Sequence, residues 1–184
     1  MSKLIPQEFN NPLLDDITNY TINSYLSTLT QKELEVLNNY SQTYFKIINS
    51  NLRCGLTIPE VQLLDSSLDK FHYDKEFTVY RKVFIKDLWV NPYTIDPFIK
   101  LLKRGYIIDK AYQSTSLNQI SFRAPHNVLF ELNIINHNAG AYIGPISSVK
   151  EEEEFLLKRR TKIDIDEYFI DRESGLIKVK GSVR

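Results

Sequence analysis

Apolar residues in the first part of the chain recur at helical spacing. Asn11-Pro12 supplies an N-cap followed by Pro at the first helical position. Leu13, Ile17, Tyr25 and Leu29 carry the period to about Thr28. Thr30-x-x-Glu33 has the spacing of a capping box. Behind it Leu34, Leu37, Tyr44, Ile48 and Leu52 form one apolar face over about six turns, which Gly55 can close in the left-handed conformation. Thr57-x-Pro59-Glu60 repeats the capping-box spacing and opens a third, shorter helix through Leu64 and Leu68.

The period then changes. Phe77 to Phe84 is rich in β-branched and aromatic residues, with Phe77 and Val79 alternating against Thr78. Asp96-Pro97 starts a helix through Leu101 and Leu102, and Gly105 stops it. From Tyr106 onward strand-like runs cover Ile107–Leu117, Val128–Ile135, Glu153–Leu157, Ile163–Ile170 and Leu176–Lys180. Asp171 to Gly175 holds the turn of a closing hairpin. Helices first and strands later predict an α+β fold rather than a doubly wound parallel sheet. No linker interrupts the pattern. One domain over residues 1–184 is therefore expected, helical over 1–72 and mainly β over 73–184.

A length of 184 residues leaves enough chain for a substantial core. Lys+Arg and Asp+Glu are equal at 23 each, so no overall field draws the chain to nucleic acid or to an anionic membrane. No apolar run approaches the ~20 residues of a membrane-spanning helix. Met1 to Glu8 lacks the apolar stretch of a signal peptide. If the protein is secreted, the expectation is another export route or a place in a longer chain. Cys54 stands alone and permits neither an internal disulfide nor a cysteine-based zinc site. His72, His126 and His137 lack metal-ligand spacing, so no metal is expected. With 6 glycines there is no Gly-rich phosphate loop.

Three segments carry candidate chemistry. Glu151-Glu152-Glu153-Glu154 runs straight into Phe155-Leu156-Leu157. In a strand, Glu152 and Glu154 would share one face and Glu151 and Glu153 the other. A solvated acidic loop is the ordinary alternative. Arg81 sits in an aromatic strand, either as an edge residue whose stem reaches water or as a planar donor fork for phosphate. Ser114-Thr115-Ser116 is either a polar strand edge or a hydroxyl set beside a catalytic carboxylate.

In chain order these are aromatic-Arg (Tyr80-Arg81), Ser-Thr-Ser, and Glu-x-Glu followed by apolar residues. That order resembles the bacterial mono-ADP-ribosyltransferase toxins of the arginine / Ser-Thr-Ser / Glu-x-Glu class, which include binary-toxin enzymatic components and Rho-modifying exoenzymes. Supporting similarity runs through Tyr40-Ser41 to Asn49 and Leu52-Arg53, through Ala139 to Ile143, and through Leu156 to Lys162.

The resemblance implies two packed β-sheets with flanking helices and NAD bound as substrate in the cleft between them. The bond between nicotinamide and ribose breaks through an oxocarbenium-like state, and ADP-ribose passes to a protein side chain. By motif position Glu154 is the catalytic glutamate, oriented by Ser114, and Glu152 steers the acceptor. Arg81 holds phosphate with Lys82 as an assistant. Thr115 and Ser116 fall with the cofactor-binding set, as do Phe122, Arg123 and Asn49. Glu rather than Gln at 152 points toward arginine acceptors. Val149 stands where several relatives place an aromatic, which argues against actin as target. The implied partners are the target protein and a delivery or immunity component, and the implied site of action is a cytoplasm. An NAD glycohydrolase of the same fold and a non-catalytic interaction module are the alternatives. Glu152 favours transfer over hydrolysis, and the complete Arg81, Ser114 and Glu154 set argues against a bare scaffold.

Overall fold

A computed structural model describes residues 11–85, 95–119, 127–171 and 173–184. The chain opens with α1 (Pro12–Tyr20), capped by the Asn11 side chain with Pro12 in the first turn. The helical path continues through a π-helical turn at Thr21–Tyr25 and a tight turn at Leu26–Thr28. The Thr21 hydroxyl donates to the Ile17 carbonyl, a side-chain bond that competes with the regular ladder where the helix widens.

Thr30 and Glu33 form the reciprocal capping box of α2 (Gln31–Asn39). Glu33 is buried and also binds Lys70 and Ser66, so the box doubles as a tie to α4 (Pro59–Asp69). Burial alone would raise the Glu33 carboxyl. The Lys70 ammonium, with the bonds from Thr30 and Ser66, wins and holds it at about 2. The expected six-turn helix is α2 followed by a π-helical turn at Tyr40–Tyr44 and α3 (Phe45–Arg53). Gly55 lies beyond its end at φ 82°. The second expected capping box does not form. Ile58 is the N-cap of α4, with no side-chain bond, and Pro59 rather than Thr57 sets the start.

The strands are β1 (Phe77–Val83), β2 (Tyr106–Ile108), β3 (Gln113–Ser116), β4 (Val128–Ile134), β5 (Gly140–Tyr142), β6 (Glu154–Leu157), β7 (Lys162–Ile170) and β8 (Ile177–Val183). Helix α5 (Ile95–Lys103) lies between β1 and β2. The single run expected over Ile107–Leu117 is two strands in different places. Asp109 accepts the Ala111 N–H and breaks the run. β2 then pairs with β7, while β3 pairs with β6.

Strand order is β2-β7-β8-β4-β1-β3-β6-β5. β1 pairs with β4 along its full length, but with β3 only at Tyr80 opposite Ser116. The eight-stranded ladder thus has two halves, β2-β7-β8-β4-β1 and β3-β6-β5, joined by one pair. Gly140 sits where any Cβ would meet the Leu156 backbone, so β5 can press against β6 only as glycine. Phe155 contacts Phe71 at 6.0 Å and Phe77 at 5.0 Å between ring centroids, which joins the helices to both halves in one apolar core.

Candidate active site

The antiparallel register of β3 and β6 sets Ser116 opposite Glu154 and Ser114 opposite Leu156. Side chains opposite one another share a face, so Ser114, Ser116 and Glu154 lie together and Thr115 and Phe155 lie on the other side. Arg81 reaches β3 from β1. Its guanidinium donates to the Ser114 carbonyl at 2.6 Å, beside the one pair that joins the sheet halves.

Glu154 is 3% exposed. Burial raises its carboxyl to about 7. Hydrogen bonds from Ser114 and Ser147 and the Arg81 charge pull it down, while the nearby Glu152 charge pushes it up. A carboxylate poised near neutrality, with hydroxyl donors and a cation, is an arrangement suited to meeting a developing positive charge.

Glu152 and Glu154 do come together, but not as neighbours on a strand face. Residues Lys150–Glu152 form a tight helical turn, and Glu153 follows at φ 46° and ψ 51°. β6 begins only at Glu154. The charge run favours a turn over a strand because extended backbone would line up like charges without partners. Glu152 is half-buried, and burial followed by the Glu151 charge raises its carboxyl. Glu153 follows in the left-handed conformation, outside a strand. It is half-buried, with burial raising its carboxyl against a hydrogen bond with Asn118.

Other expected residues divide. Asn49 on α3 donates to the Tyr40 hydroxyl at 2.9 Å and to the Tyr112 carbonyl at 3.3 Å. Its Oδ1 is buried without a partner. It lines a cavity of about 330 Å³ together with Phe45, Arg53, Arg81 and Ser114. Two expected cofactor-binding hydroxyls are occupied inside the protein. Thr115 donates to the Phe155 carbonyl at 2.6 Å. Ser116 closes a turn, bonding the Asn118 carbonyl and N–H at 2.9 Å each. Lys82 follows Arg81 in β1, and strand alternation puts the two on opposite faces of that strand. Phe122, Arg123 and His126 lie outside the described residues.

Two site residues escaped the sequence reading. Ser147 is buried and donates to Glu154 Oε2 at 3.4 Å. Nothing distinguishes it from Ser148 in the sequence. Tyr40 is fully buried, which pushes its phenol far up, and it senses the charges of Glu154 and Arg81. Residues nine apart stand on opposite sides of a regular helix, so the Tyr40–Asn49 bond depends on the π-helical turn. Among the described residues no cluster of His, Cys, Asp and Glu could hold a metal ion.

A sequence model of the ADP-ribosyltransferase exoenzymes matches residues 16–181. The chain belongs to this family. Membership makes the protein an ADP-ribosyltransferase of the bacterial toxin class. Comparison with curated protein sequences finds no match. Among solved structures it is similar to Plx2a, an ADP-ribosyltransferase toxin from Paenibacillus larvae, at 26% identity and a TM-score of 0.77, covering 93% of this chain and 96% of that one. The Clostridium limosum C3 exoenzyme is similar at 22% identity and a TM-score of 0.77, covering 97% of each chain. C3stau2 from S. aureus, solved with NAD, is similar at 19% identity and a TM-score of 0.75, over 94% of this chain and 95% of that one. The cavity between α3, β1 and β3, with Arg81 and Ser114 in its lining, is the candidate cleft.

Proposed function

We propose that the protein uses NAD to mono-ADP-ribosylate an arginine of a target protein inside a target cell. The observation that carries this reading is the buried Glu154 carboxylate beside Ser114, Ser147 and Arg81, with Glu152 next to it in the preceding turn. NAD is the donor by the family chemistry and by its presence in the C3stau2 structure. Asn49 offers a buried acceptor in the cavity and Arg81 a cation.

The reaction separates nicotinamide from the ribose, and positive charge grows on the ribose as the bond stretches. Ionised Glu154 stabilises that charge, and the hydroxyls hold the carboxylate where the charge appears. An arginine acceptor must come up as a nucleophile, and its guanidinium stays protonated in water. Glu152, itself raised by burial, orients it and takes its proton.

Incubating the protein with labelled NAD and a target-cell lysate, and measuring labelled protein and free nicotinamide separately, tests the reading. Glu154→Gln is expected to lower both signals ~10²-fold or more. Glu152→Gln is expected to abolish labelling and leave much of the slow hydrolysis. Labelling that survives Glu152→Gln removes the arginine assignment. Labelling and hydrolysis that both survive Glu154→Gln remove the catalytic one.

A further inference from the structure

Behind the cleft lies a second cavity of about 610 Å³, and Arg53 lines both. Its floor is apolar. Phe98 and Leu101 of α5, Phe130 of β4 and Ile163 of β7 form it. Gln113 enters from β3, and strand alternation sends it to the face opposite Ser114, away from the cleft. Gln113 is 4% exposed, and its amide nitrogen Nε2 is buried with no hydrogen-bond partner. Buried amide donors are almost always paired, because leaving one dry and unbonded is costly. Above an apolar floor, such a group calls for an acceptor from outside the chain.

The charge around the cavity is one-sided. Lys100, Arg104 and Lys110 line it together with Arg53. Its one lining carboxylate, Asp109, is already held by Arg53 through bonds of 3.0 and 2.6 Å. Lys100 and Lys110 are exposed, and neither is in an ion pair with a described residue. An apolar pocket of this volume with a few convergent polar groups is the usual form of a small-molecule site.

We infer that this cavity binds a small organic anion. Its apolar or aromatic body lies against Phe98, Leu101 and Phe130, an acceptor atom takes the Gln113 N–H, and the anionic group meets Lys100 and Lys110. The site is separate from the cleft, and its existence does not depend on NAD being the donor. Because Arg53 is the shared wall, an anion there competes with Asp109 for its guanidinium.

Two fluorescent probes that differ only in charge test the proposal on the full chain. They are 8-anilinonaphthalene-1-sulfonate and its uncharged parent, N-phenyl-1-naphthylamine. The sulfonate is expected to bind saturably at one site. Reversing both lysines, Lys100→Glu with Lys110→Glu, is expected to weaken the sulfonate at least tenfold and leave the neutral probe nearly unchanged. Gln113→Leu keeps the volume and removes the donor, and is expected to weaken the sulfonate several-fold. Arg81→Lys changes the cleft alone and is expected to bind it as the parent does. Far-ultraviolet circular dichroism checks that each variant is folded. No saturable binding overturns the proposal, as does binding indifferent to the lysine reversal. Loss of binding in Arg81→Lys also overturns it, because it moves the probe to the cleft. NAD binding measured separately keeps these outcomes distinct from failure of the functional reading.

Discussion

Glu154 must be charged to act, yet it sits where burial favours the neutral acid. The consequence has opposite signs for activity and stability. Its carboxyl is raised from 4.5 to about 7 in the folded protein. Between those values the folded state holds a proton that the unfolded state has lost, so stability falls as pH rises through the window and levels off above it. Activity runs the other way, because the carboxylate forms only as pH approaches and passes 7. Turnover on free enzyme should therefore drop about tenfold per pH unit below that point. Glu154→Gln should melt at a higher temperature than the parent above pH 7, and the gap should close near pH 4.5. Melting curves across that range decide it. A gap of constant size would show that the buried charge is not what destabilises the parent. Thr115 makes the matching case for a hydroxyl inside the sheet. Thr115→Val removes its bond to the Phe155 carbonyl, and should cost about 1–2 kcal/mol in urea unfolding while NAD affinity stays the same. A weakened NAD affinity would return Thr115 to the cofactor.

The turn that carries Glu152 is held from the helical side. Asn38 donates to the Ile146 carbonyl at 2.8 Å, and Ser148 donates its N–H to the Ser41 hydroxyl at 3.1 Å and its hydroxyl to the Ser41 carbonyl at 3.2 Å. Asn38→Ala with Ser41→Ala should loosen this segment, which also carries the Ser147 hydroxyl bonded to Glu154. Transfer to protein should then fall on the order of tenfold and NAD hydrolysis by less, because Glu152 depends on this turn while Glu154 keeps Ser114 and Arg81. Equal losses in both assays would assign the bonds to folding rather than to acceptor placement. At this scale the sequence was a mixed guide. The helical period and the Thr30 box were readable, since capping and amphipathic spacing are local. The order Arg81, Ser114, Glu154 was readable as a motif; the β3–β6 register places Ser114 beside Glu154, and a bond to the Ser114 carbonyl places Arg81. The π-helical turns were not, because they leave the spacing of apolar residues nearly intact while rotating one residue such as Tyr40 against another such as Asn49. Nor was the break at Asp109, where one side chain bonding its own backbone outweighs a continuous apolar run. Glu152 lies close enough for its charge to act on Glu154, but through a tight turn rather than the strand alternation expected.

The helices and the sheet halves share groups that neither could satisfy alone. Tyr112, just before β3, is fully buried and donates to the Val61 carbonyl at 3.1 Å and to Asp65 at 2.7 Å, both on α4. Arg159, just after β6, closes on the same Asp65 at 2.7 Å, and Lys158 reaches Asp69 at 2.6 Å. With Phe71 against Phe155, these contacts fasten α4 to the strands that flank Glu154. Separating the helices from the sheet would strand the Tyr112 hydroxyl and expose that aromatic core. The chain should therefore unfold as one cooperative unit rather than as a helical part and a β part. Far-ultraviolet and near-ultraviolet circular dichroism should trace one coincident thermal transition. Tyr112→Phe is the sharper version. It removes the hydroxyl that ties the Val61 carbonyl and Asp65 to the start of β3, and should cost about 1–2 kcal/mol. For a chain of this length that is a fall of a few degrees, roughly 2–4 °C per kcal/mol. Both signals should move by the same amount, since the bond belongs to the joint between the parts. A near-ultraviolet transition that falls while the far-ultraviolet one stays would divide the chain at that joint, and the cleft between α3 and β3 would then open before the rest of the molecule melts.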